Sequence, residues 1–298
     1  RVFIMKRQRR LFTAVVIAVT SFLAACVCAL QLCGGRQQHN GGVCSSKSAF
    51  SEEAVLLVVS HPDDEVMFFY PTVRSLVGEG SKVTVLSLSN GDAGGLGAKS
   101  AFFFFRDDSL LGTLEMFAAA REGGYDAVVV DDPRLRDGKD HRWAPADVAR
   151  ALRPHLDDHS TVVTFDRIGV SRHPNHVDTF HGVKALLQGS SNRSLVLLES
   201  TSNWLSLFLG PMSLCFLEEQ ACDGHRRICQ SSSYFVFANS QPCVDHSCSY
   251  YHCEKRWAAW RVMTKHESQF VWYRRLFVLF SRFVYVNRLS VVQEEGST

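Results

Sequence analysis

The sequence predicts an α/β fold: a mostly parallel sheet with helices on both faces, preceded by an N-terminal membrane helix. Two observations predict the sheet and its helices. Short apolar runs rich in β-branched residues are continuous rather than alternating, as in strands buried on both faces, and helix-like stretches separate them. A third observation, 22 successive uncharged residues near the start of the chain, predicts the membrane helix.

Strands and helices alternate along the chain, which is typical of a parallel sheet. Apolar runs bounded by turn residues predict strands at 55–59, 83–88, 127–130, 162–165 and 195–198. The stretches between them predict helices at 66–77, 110–120, 144–152 and 176–187.

The N-terminal region divides into a basic leader (residues 1–10), an apolar segment (11–32) and a polar linker (33–51). As a helix the apolar segment would be about 33 Å long, enough to cross a hydrocarbon core. A cleaved signal peptide and, from Leu23-Ala24-Ala25-Cys26, a lipoprotein signal are the alternatives. Residues 52–298 are expected to form one folded domain, with divergent insertions at about 98–111 and 203–253.

Charge is distributed unevenly between the N-terminal region and the domain. The chain has 32 Lys+Arg against 30 Asp+Glu, but residues 1–47 hold seven of the basic residues and no acidic one. The domain is therefore mildly acidic, whereas a nucleic-acid-binding domain would present a basic face. We expect no nucleic-acid partner, and the sequence indicates no particular protein partner.

Six of the ten cysteines fall in the second insertion. A zinc knot there would use Cys243, His246, Cys248, His252 and Cys253, but their spacing matches no standard ligand pattern. Free thiols or a local disulfide in a divergent surface excursion are the favoured interpretation.

Polar side chains are concentrated immediately after three of the predicted strands. The first strand is followed by Ser60-His61-Pro62-Asp63-Asp64-Glu65, and the second by a segment containing Asn90 and Asp92. The fourth is followed by Asp166 and then by His173-Pro174-Asn175-His176. Ligands of parallel sheets bind outside the carboxyl ends of the strands, so these residues are expected to share one site.

Two histidines and a carboxylate with room for water form an open metal site of the hydrolytic zinc type. His61 and Asp64 lie three residues apart across a turn, and His173 and His176 are one helical turn apart. Asp63 and Asp64 are adjacent and point apart, so we expect one on the metal and the other to act as general base toward water. A second, non-ligating histidine would stabilise the oxyanion and protonate the leaving amine.

Each motif alone has a simpler interpretation. Asp63 or Asp64 followed by Glu65 fits a capped helix N-terminus, and histidines three residues apart are common on surfaces. Their joint occurrence at strand ends of one predicted sheet favours the metal site.

Three segments, residues 58–69, 86–97 and 164–176, resemble the signatures of the N-acetylglucosaminyl-phosphatidylinositol de-N-acetylases. These enzymes are the GPI-anchor members of a wider family of zinc-dependent sugar deacetylases. Near the C-terminus, a block typical of the GPI-pathway branch is matched by His266-Glu267-Ser268-Gln269, Trp272-Tyr273-Arg274 and Ser281-Arg282-Phe283.

The resemblance implies a three-layer Rossmann-like fold, a divalent metal that is usually zinc, and hydrolysis of an N-acetyl group from glucosamine. It implies His61, Asp64 and His176 as metal ligands. Asp63 would then be the base and His173 the oxyanion and leaving-group residue. Candidates for substrate contact or support of the site are Glu65, Asn90, Asp92, Asp166, Arg172 and Asn175.

The sequence departs from the family pattern at two positions near the expected site. Arg172 stands where a glycine usually precedes the first histidine of the third signature, and would crowd the pocket or reach a substrate phosphate. Gly112 stands where the family has an arginine three residues before Glu115, and Arg106 is a candidate to replace it. The insertion before it contains four phenylalanines at 102–105, either a lid against lipid or an exposed liability.

Two aromatic-rich segments are candidates for membrane contact. A C-terminal stripe at helical spacing fits either packing on the sheet or an interfacial helix on anionic lipid. Its residues are Phe270, Tyr273, Phe277, Phe280 and Val284, with Arg274, Arg275 and Arg282 off the stripe. Residues 203–217 are too short to span a bilayer and would form a membrane-dipping element or a buried helix or loop.

We therefore predict a membrane-anchored hydrolase that removes acetate from the glycolipid N-acetylglucosaminyl-phosphatidylinositol at the endoplasmic reticulum, the second step of GPI-anchor biosynthesis. The basic leader would place the domain in the lumen by the positive-inside rule. The resemblance implies the cytosolic face, which we favour. The alternatives are a non-catalytic sugar-lipid-binding relative and a deacetylase of another N-acetylglucosaminide.

Overall fold

A computed structural model describes residues 53–91, 108–190, 192–201, 207–208, 234–238 and 253–292. The predicted leader, anchor and linker lie outside these residues, as do Asp92, Arg106, the four phenylalanines at 102–105 and the cysteines at 215–248. Within the described ranges, no helix combines the length and the apolar character needed to cross a membrane.

The centre of the fold is a seven-stranded sheet in the order β3-β2-β1-β4-β5-β7-β6. The strands are β1 (Ala54–Val59), β2 (Lys82–Ser87), β3 (Asp126–Val129), β4 (Thr161–Phe165), β5 (Ser194–Leu198), β6 (Tyr234–Ala238) and β7 (Val286–Val292). The first five pair in parallel, and β7 runs antiparallel to both of its neighbours. The predicted α/β class, the mostly parallel sheet and the five predicted strands are confirmed.

Strand β1 is buried on both faces, which explains why its sequence is a continuous apolar run. Leu56 and Val58 belong to the core on one face of the sheet, and Val55, Leu57 and Val59 belong to the core on the other.

Helices cover both faces of the sheet and give three layers. One core is closed by α1 (Asp64–Met67), α2 (Tyr70–Gly78), α3 (Asp108–Gly123), α6 (Cys253–Met263), α7 (Trp272–Phe280) and α8 (Arg282–Tyr285). The other is closed by α4 (Pro145–Leu152), which continues into a 3₁₀ turn at Arg153–His155, and by α5 (Pro174–Leu187).

The prediction of a single helix at 66–77 is wrong. The structure has two helices, α1 and α2, separated by Phe68 and Phe69. Pro71 lies in the first turn of α2 and has no N–H to donate to the carbonyl of Met67. A continuous helix would have lacked that bond, so the chain turns and starts a new helix.

The C-terminal stripe forms only in part. Phe270 and Val284 are buried and Phe277 packs against the core, but Tyr273 is 53% exposed. Helix α7 ends at Phe280, after which α8 and then strand β7 follow. The sheet-packing interpretation therefore holds for most of the stripe and is wrong for Tyr273.

The order of strands reverses between β1 and β4. The chain moves outward from β1 to β2 and β3 on one side, and from β4 to β5 on the other. Loops leaving the carboxyl ends of these two strands diverge and leave a crevice between them. Residues 60–65 follow β1 and residues 166–173 follow β4, so the sequence motifs meet at this point.

Candidate metal centre

Asp64 is held by the turn that follows β1. Its Oδ2 accepts hydrogen bonds from the backbone N–H groups of Ser60 (3.1 Å) and His61 (2.9 Å). The His61 Nδ1 atom lies 3.5 Å from Oδ2, and His176 Nε2 lies 3.3 Å from Oδ1. Separations of about 3.3 Å are those expected between ligand atoms around a tetrahedral zinc ion.

The ring nitrogens of His61 and His176 that point away from Asp64 each face an oxygen acceptor. His61 Nε2 lies 3.0 Å from Asp137 Oδ1 and 3.2 Å from Asn175 Oδ1. His176 Nδ1 lies 3.1 Å from the carbonyl oxygen of Gly169. A proton on each of these nitrogens leaves His61 Nδ1 and His176 Nε2 free as metal ligands, the usual way in which outer partners orient such histidines.

The charges around the two candidate ligands are complementary. Burial raises the pKa of Asp64, but His176 and His61 outweigh this effect and hold it well below its usual range. Burial lowers the pKa of His61, but Asp137 and Asp64 outweigh it and raise the pKa well above its usual range. A site that draws a proton onto a buried imidazole in this way is equally suited to a cation.

Asp63 is adjacent to the candidate ligand Asp64 but has a different charged partner. It is buried, with its backbone in the left-handed region (φ 102°), and its Oδ2 forms an ion pair of 2.9 Å with Arg274 Nη1. Burial raises the pKa of Asp63 to about 7, against the lowering effect of Arg274. The two adjacent carboxylates therefore differ in pKa, and Asp63 is the one suited to exchange a proton near neutral pH.

His173 occupies the N-cap of α5 in an extended conformation, and the helix begins at Pro174, two residues before the predicted start at 176. Its ring centroid lies 4.9 Å from that of His61 and 5.2 Å from that of His176. The Nδ1 atom accepts from the backbone N–H of Asn175 at 3.3 Å, so in the neutral ring the proton is on Nε2. Burial lowers the pKa of His173 to about 4, which favours that neutral form.

Three histidines have ligand atoms within 4.8 Å of one another: His61, His173 and His176. The structure thus brings together all five residues of the predicted centre. It also removes the capping interpretation of Asp63, whose side chain makes no hydrogen bond to the start of α1.

Glu65 stabilises the turn that carries Asp63. Its Oε2 accepts from the backbone N–H of Asp63 at 3.0 Å, and its Oε1 accepts from Tyr125 Oη at 3.0 Å and pairs with His266 Nε2 at 2.7 Å. Glu65 and His266 are both fully buried. Glu115 anchors the same C-terminal turn by accepting from the backbone N–H and the hydroxyl of Ser268.

Of the other predicted site residues, Asn175 lies beside a candidate metal ligand, whereas Asn90 and Asp166 bind neighbouring loops. Asn175 is buried beside His61, and its Nδ2 donates to the carbonyl oxygen of His141 at 2.7 Å. Asn90 donates to Asp131 Oδ1 at the neighbouring strand end. Asp166 accepts from the backbone N–H of Gly169 and from both N–H and hydroxyl of Ser200, so it organises the loop after β4.

Arg172 is exposed, and its backbone lies in the left-handed region with φ 59°. Gly169 (φ 69°) and Val170 (φ 53°) precede it in the same tight turn. This conformation favours glycine, which explains why the family pattern has a glycine immediately before His173.

Four residues of the site or its support were not assigned a role from the sequence. His266 and Arg274 lie in the C-terminal block, which carried a family resemblance but no predicted function. Asp137 lies in the loop after β3, where the strand-end rule applies as it does after β1 and β4. Tyr125 precedes β3, and no sequence signal pointed to its contact with Glu65.

Gly112 lies where α3 passes against the loop after β2. A Cβ atom there would be 2.0 Å from the carbonyl oxygen of Asn90, a backbone atom that cannot easily move. An arginine at this position therefore does not fit this chain as it is packed.

We expect Gly112→Ala to lower the free energy of unfolding by about 1–3 kcal/mol, since the added methyl group overpacks a rigid contact. Urea unfolding measures the loss. Gly78→Ala is the control and should be neutral or slightly stabilising, because a methyl group added at this helical glycine would meet nothing within 4 Å. Equal stability of the two variants would contradict the close approach.

Comparison with known proteins agrees with the resemblance. The PIG-L family profile, described as GlcNAc-PI de-N-acetylase, matches residues 56–187. A probable N-acetylglucosaminyl-phosphatidylinositol de-N-acetylase of Schizosaccharomyces pombe is 35% identical over 146 residues, which cover 48% of this chain and 55% of that relative. The protein of that name from Bos taurus is 28% identical over 239 residues, covering 78% of this chain and 80% of the relative.

Solved structures share the fold at low sequence identity. A deacetylase of the teicoplanin biosynthetic pathway superposes with a TM-score of 0.52 at 16% identity, covering 82% of this chain and 100% of that one. An N,N'-diacetylchitobiose deacetylase from Pyrococcus horikoshii gives a TM-score of 0.51 at 13% identity, covering 83% and 87%.

Proposed function

We propose that this chain, whose residues 56–187 match the PIG-L family profile, is a hydrolase of the GlcNAc-PI de-N-acetylase type. It would remove the N-acetyl group of N-acetylglucosaminyl-phosphatidylinositol and give glucosaminyl-phosphatidylinositol and acetate. One observation carries the proposal: two imidazoles and a carboxylate converge at the crevice between β1 and β4, with a second carboxylate and a third imidazole beside them.

His61, Asp64 and His176 would hold a divalent metal, for which we propose zinc. Two imidazole nitrogens and one carboxylate oxygen are a donor set that zinc uses in hydrolytic sites with an open position. When bound, the metal supplies Lewis acidity to the site.

Asp63 would act as the general base. Its pKa of about 7 means that the carboxylate and the carboxylic acid are both well populated at neutral pH. It takes a proton from the water that attacks the acetamide carbon. Arg274 holds the carboxylate in place through the ion pair to Oδ2.

His173 would stabilise the oxyanion that develops on the acetyl group, by donating a hydrogen bond from Nε2–H. The pKa of about 4 argues that this ring stays neutral, and a neutral imidazole is a poor proton donor to the amine. We therefore propose that Asp63 returns the proton it took from water to the departing amine of glucosamine.

The proposed activity is tested by acetate release from synthetic N-acetylglucosaminyl-phosphatidylinositol. We expect release by the purified chain, loss of at least about 100-fold after chelation, and recovery on adding zinc, because the metal carries part of the catalysis. A chain that binds the glycolipid but releases no acetate with or without zinc would be the non-catalytic relative.

Arg172 is proposed to reach the phosphodiester of the substrate, because it is an exposed guanidinium one residue from His173. We expect Arg172→Gly to raise KM for the phosphate-containing substrate by about tenfold, since one exposed charge contact is lost. The same variant should gain about 1 kcal/mol of stability, because the left-handed backbone no longer carries a side chain. N-acetylglucosaminyl-inositol without the phosphate is the control, and an equal rise in its KM would contradict the proposal.

For location, we propose the membrane of the endoplasmic reticulum with the domain on its cytosolic face. The apolar segment at 11–32 and a glycolipid substrate support membrane attachment. Digestion of the domain by protease added to intact microsomes would agree with this orientation, and full protection would reverse it.

A further inference from the structure

Large apolar side chains exposed by the described residues are concentrated on one of the two helical layers. Seven of the ten project from α3, α6 and α7, and none projects from α4 or α5 on the other face of the sheet. Single exposed apolar residues need no explanation, but a one-sided concentration of them marks an interaction surface.

Helix α7 carries the most exposed of them. Trp272 is 72% exposed, Tyr273 53% and Leu276 47%. Trp272 and Leu276 are four residues apart and Tyr273 and Leu276 three, so all three lie on one face of the helix. The opposite face holds the helix to the core through Val278.

The same layer continues this surface on its other two helices. On α3 the exposed residues Leu110, Leu114 and Phe117 follow helical spacing, and on α6 Trp257 is half-exposed. A chain of aromatic contacts joins α6 to the start of α7. Trp257 packs edge-on against Trp260, and Trp260 against Phe270.

The charge and the aromatic residues of this surface indicate which kind of partner binds it. Helix α7 has no acidic residue, and of its two arginines Arg274 is paired with the buried Asp63, which leaves Arg275 as the outward charge of the helix. Arg275 is exposed, with its guanidinium 5.2 Å from the centroid of the Phe270 ring. Tryptophan, tyrosine and arginine beside leucine and phenylalanine are the composition of surfaces that lie in the interface of an anionic bilayer.

The surface also adjoins the catalytic residues. Arg274 lies between the exposed Tyr273 and Arg275, and its guanidinium turns inward to form the ion pair with Asp63. A bilayer in contact with α7 would therefore lie at the side of the crevice, where the sugar of a membrane lipid can reach it.

We infer that the outer face of α3, α6 and α7 docks on an anionic lipid bilayer and presents the crevice to a substrate that remains in the membrane. This inference rests on the proposed function for the identity of the substrate. Docking itself is independent of turnover and is measured separately.

The first test measures depth in the membrane. The full chain is reconstituted in vesicles of phosphatidylcholine and phosphatidylserine with brominated acyl chains, which quench tryptophan fluorescence on contact. Trp272→Phe should remove part of the quenched emission, whereas Trp143→Phe, at a residue buried in the opposite core, should leave the quenched part unchanged. Quenched emission that is the same with and without Trp272 would overturn the inference.

The second test measures substrate access. Trp272→Ser/Leu276→Ser should lower acetate release from the glycolipid embedded in vesicles by about tenfold, and release from a short-chain soluble analogue by less than about twofold. Val292→Ser, at an exposed apolar residue on β7, is the control and should change neither rate. Equal loss on both substrates would overturn the inference and point to a role in folding.

The outcomes separate the two proposals. Quenching at Trp272 without acetate release from either substrate would refute the proposed activity and support the docking surface. Release from both substrates that is insensitive to the double substitution, with Trp272 unquenched, would refute the docking surface alone.

Discussion

Asp63→Asn is expected to lower turnover by roughly 10²–10⁴-fold while the bound zinc remains. The amide preserves the size of the side chain but cannot accept a proton from water. Its ion pair with Arg274 and its backbone bond to Glu65 involve none of the proposed ligand atoms of His61, Asp64 and His176. Metal analysis of the purified variant, together with the rate of acetate release, measures both effects.

Asp64→Asn is the matched comparison, because it makes the same chemical change at the next residue. It removes a proposed ligand, so bound zinc and activity should fall together. His176→Ala should behave like Asp64→Asn, and His173→Ala like Asp63→Asn, with metal retained and a rate loss of about 10²–10³-fold. His181→Ala, at an exposed histidine of α5, should change neither property.

Loss of zinc from Asp63→Asn with retention in Asp64→Asn would mean that the two carboxylates have been assigned in reverse. Full activity in all four site variants would refute catalysis at this crevice.

The parallel half of the sheet could be predicted because its strands are buried on both faces. A strand such as β1 has apolar residues at every position, and this run is visible without any knowledge of its neighbours. The carboxyl ends of these strands then indicate where polar residues meet, which is why residues 60–65 and 173–176 could be assigned to one site from the sequence. The choice of His61, Asp64 and His176 as metal ligands came from the family resemblance.

The antiparallel edge could not be predicted in the same way. Strand β7 is Val286–Val292, and its burial falls from buried at Val286 to exposed at Val292, so its sequence mixes polar and apolar residues. Its pairing with β5 and β6 depends on residues about 90 and 50 positions earlier in the chain, which no local pattern reveals.

Long-range partners also account for what was missed at the site. Asp63 could be recognised as a candidate base, but its pKa of about 7 results from burial and from Arg274, Asp64 and His266. His266 reaches Glu65 across 201 residues of sequence, and Arg274 reaches Asp63 from the start of α7. The charged residues that tune a site are found from the fold, because the sequence does not show which of many carboxylates they face.

His266→Ala is expected to lower the free energy of unfolding by about 3–5 kcal/mol, the largest stability loss we predict. The substitution leaves Glu65 fully buried as a charge, near Asp63 and Asp64, with Tyr125 and a backbone N–H as its remaining donors. Urea unfolding at pH 6 and at alkaline pH measures the loss. Burial lowers the pKa of His266, but Glu65 outweighs it, so the pKa is raised above 6.5. The contribution of His266 is therefore complete below pH 6.5 and is lost as the pH rises through the raised value.

Tyr125→Phe separates the loss of a charge partner from the loss of any hydrogen bond to Glu65. It removes one neutral donor from the same oxygen and should cost only about 1 kcal/mol. Adding Glu65→Gln to His266→Ala should recover part of the lost stability, because the buried charge is then gone. If His266→Ala costs no more than Tyr125→Phe, and Glu65→Gln recovers nothing, the pair does not support the turn that carries Asp63. A larger loss for His266→Ala would mean that the C-terminal block stabilises the turn that carries the proposed base, through the contact of His266 with Glu65.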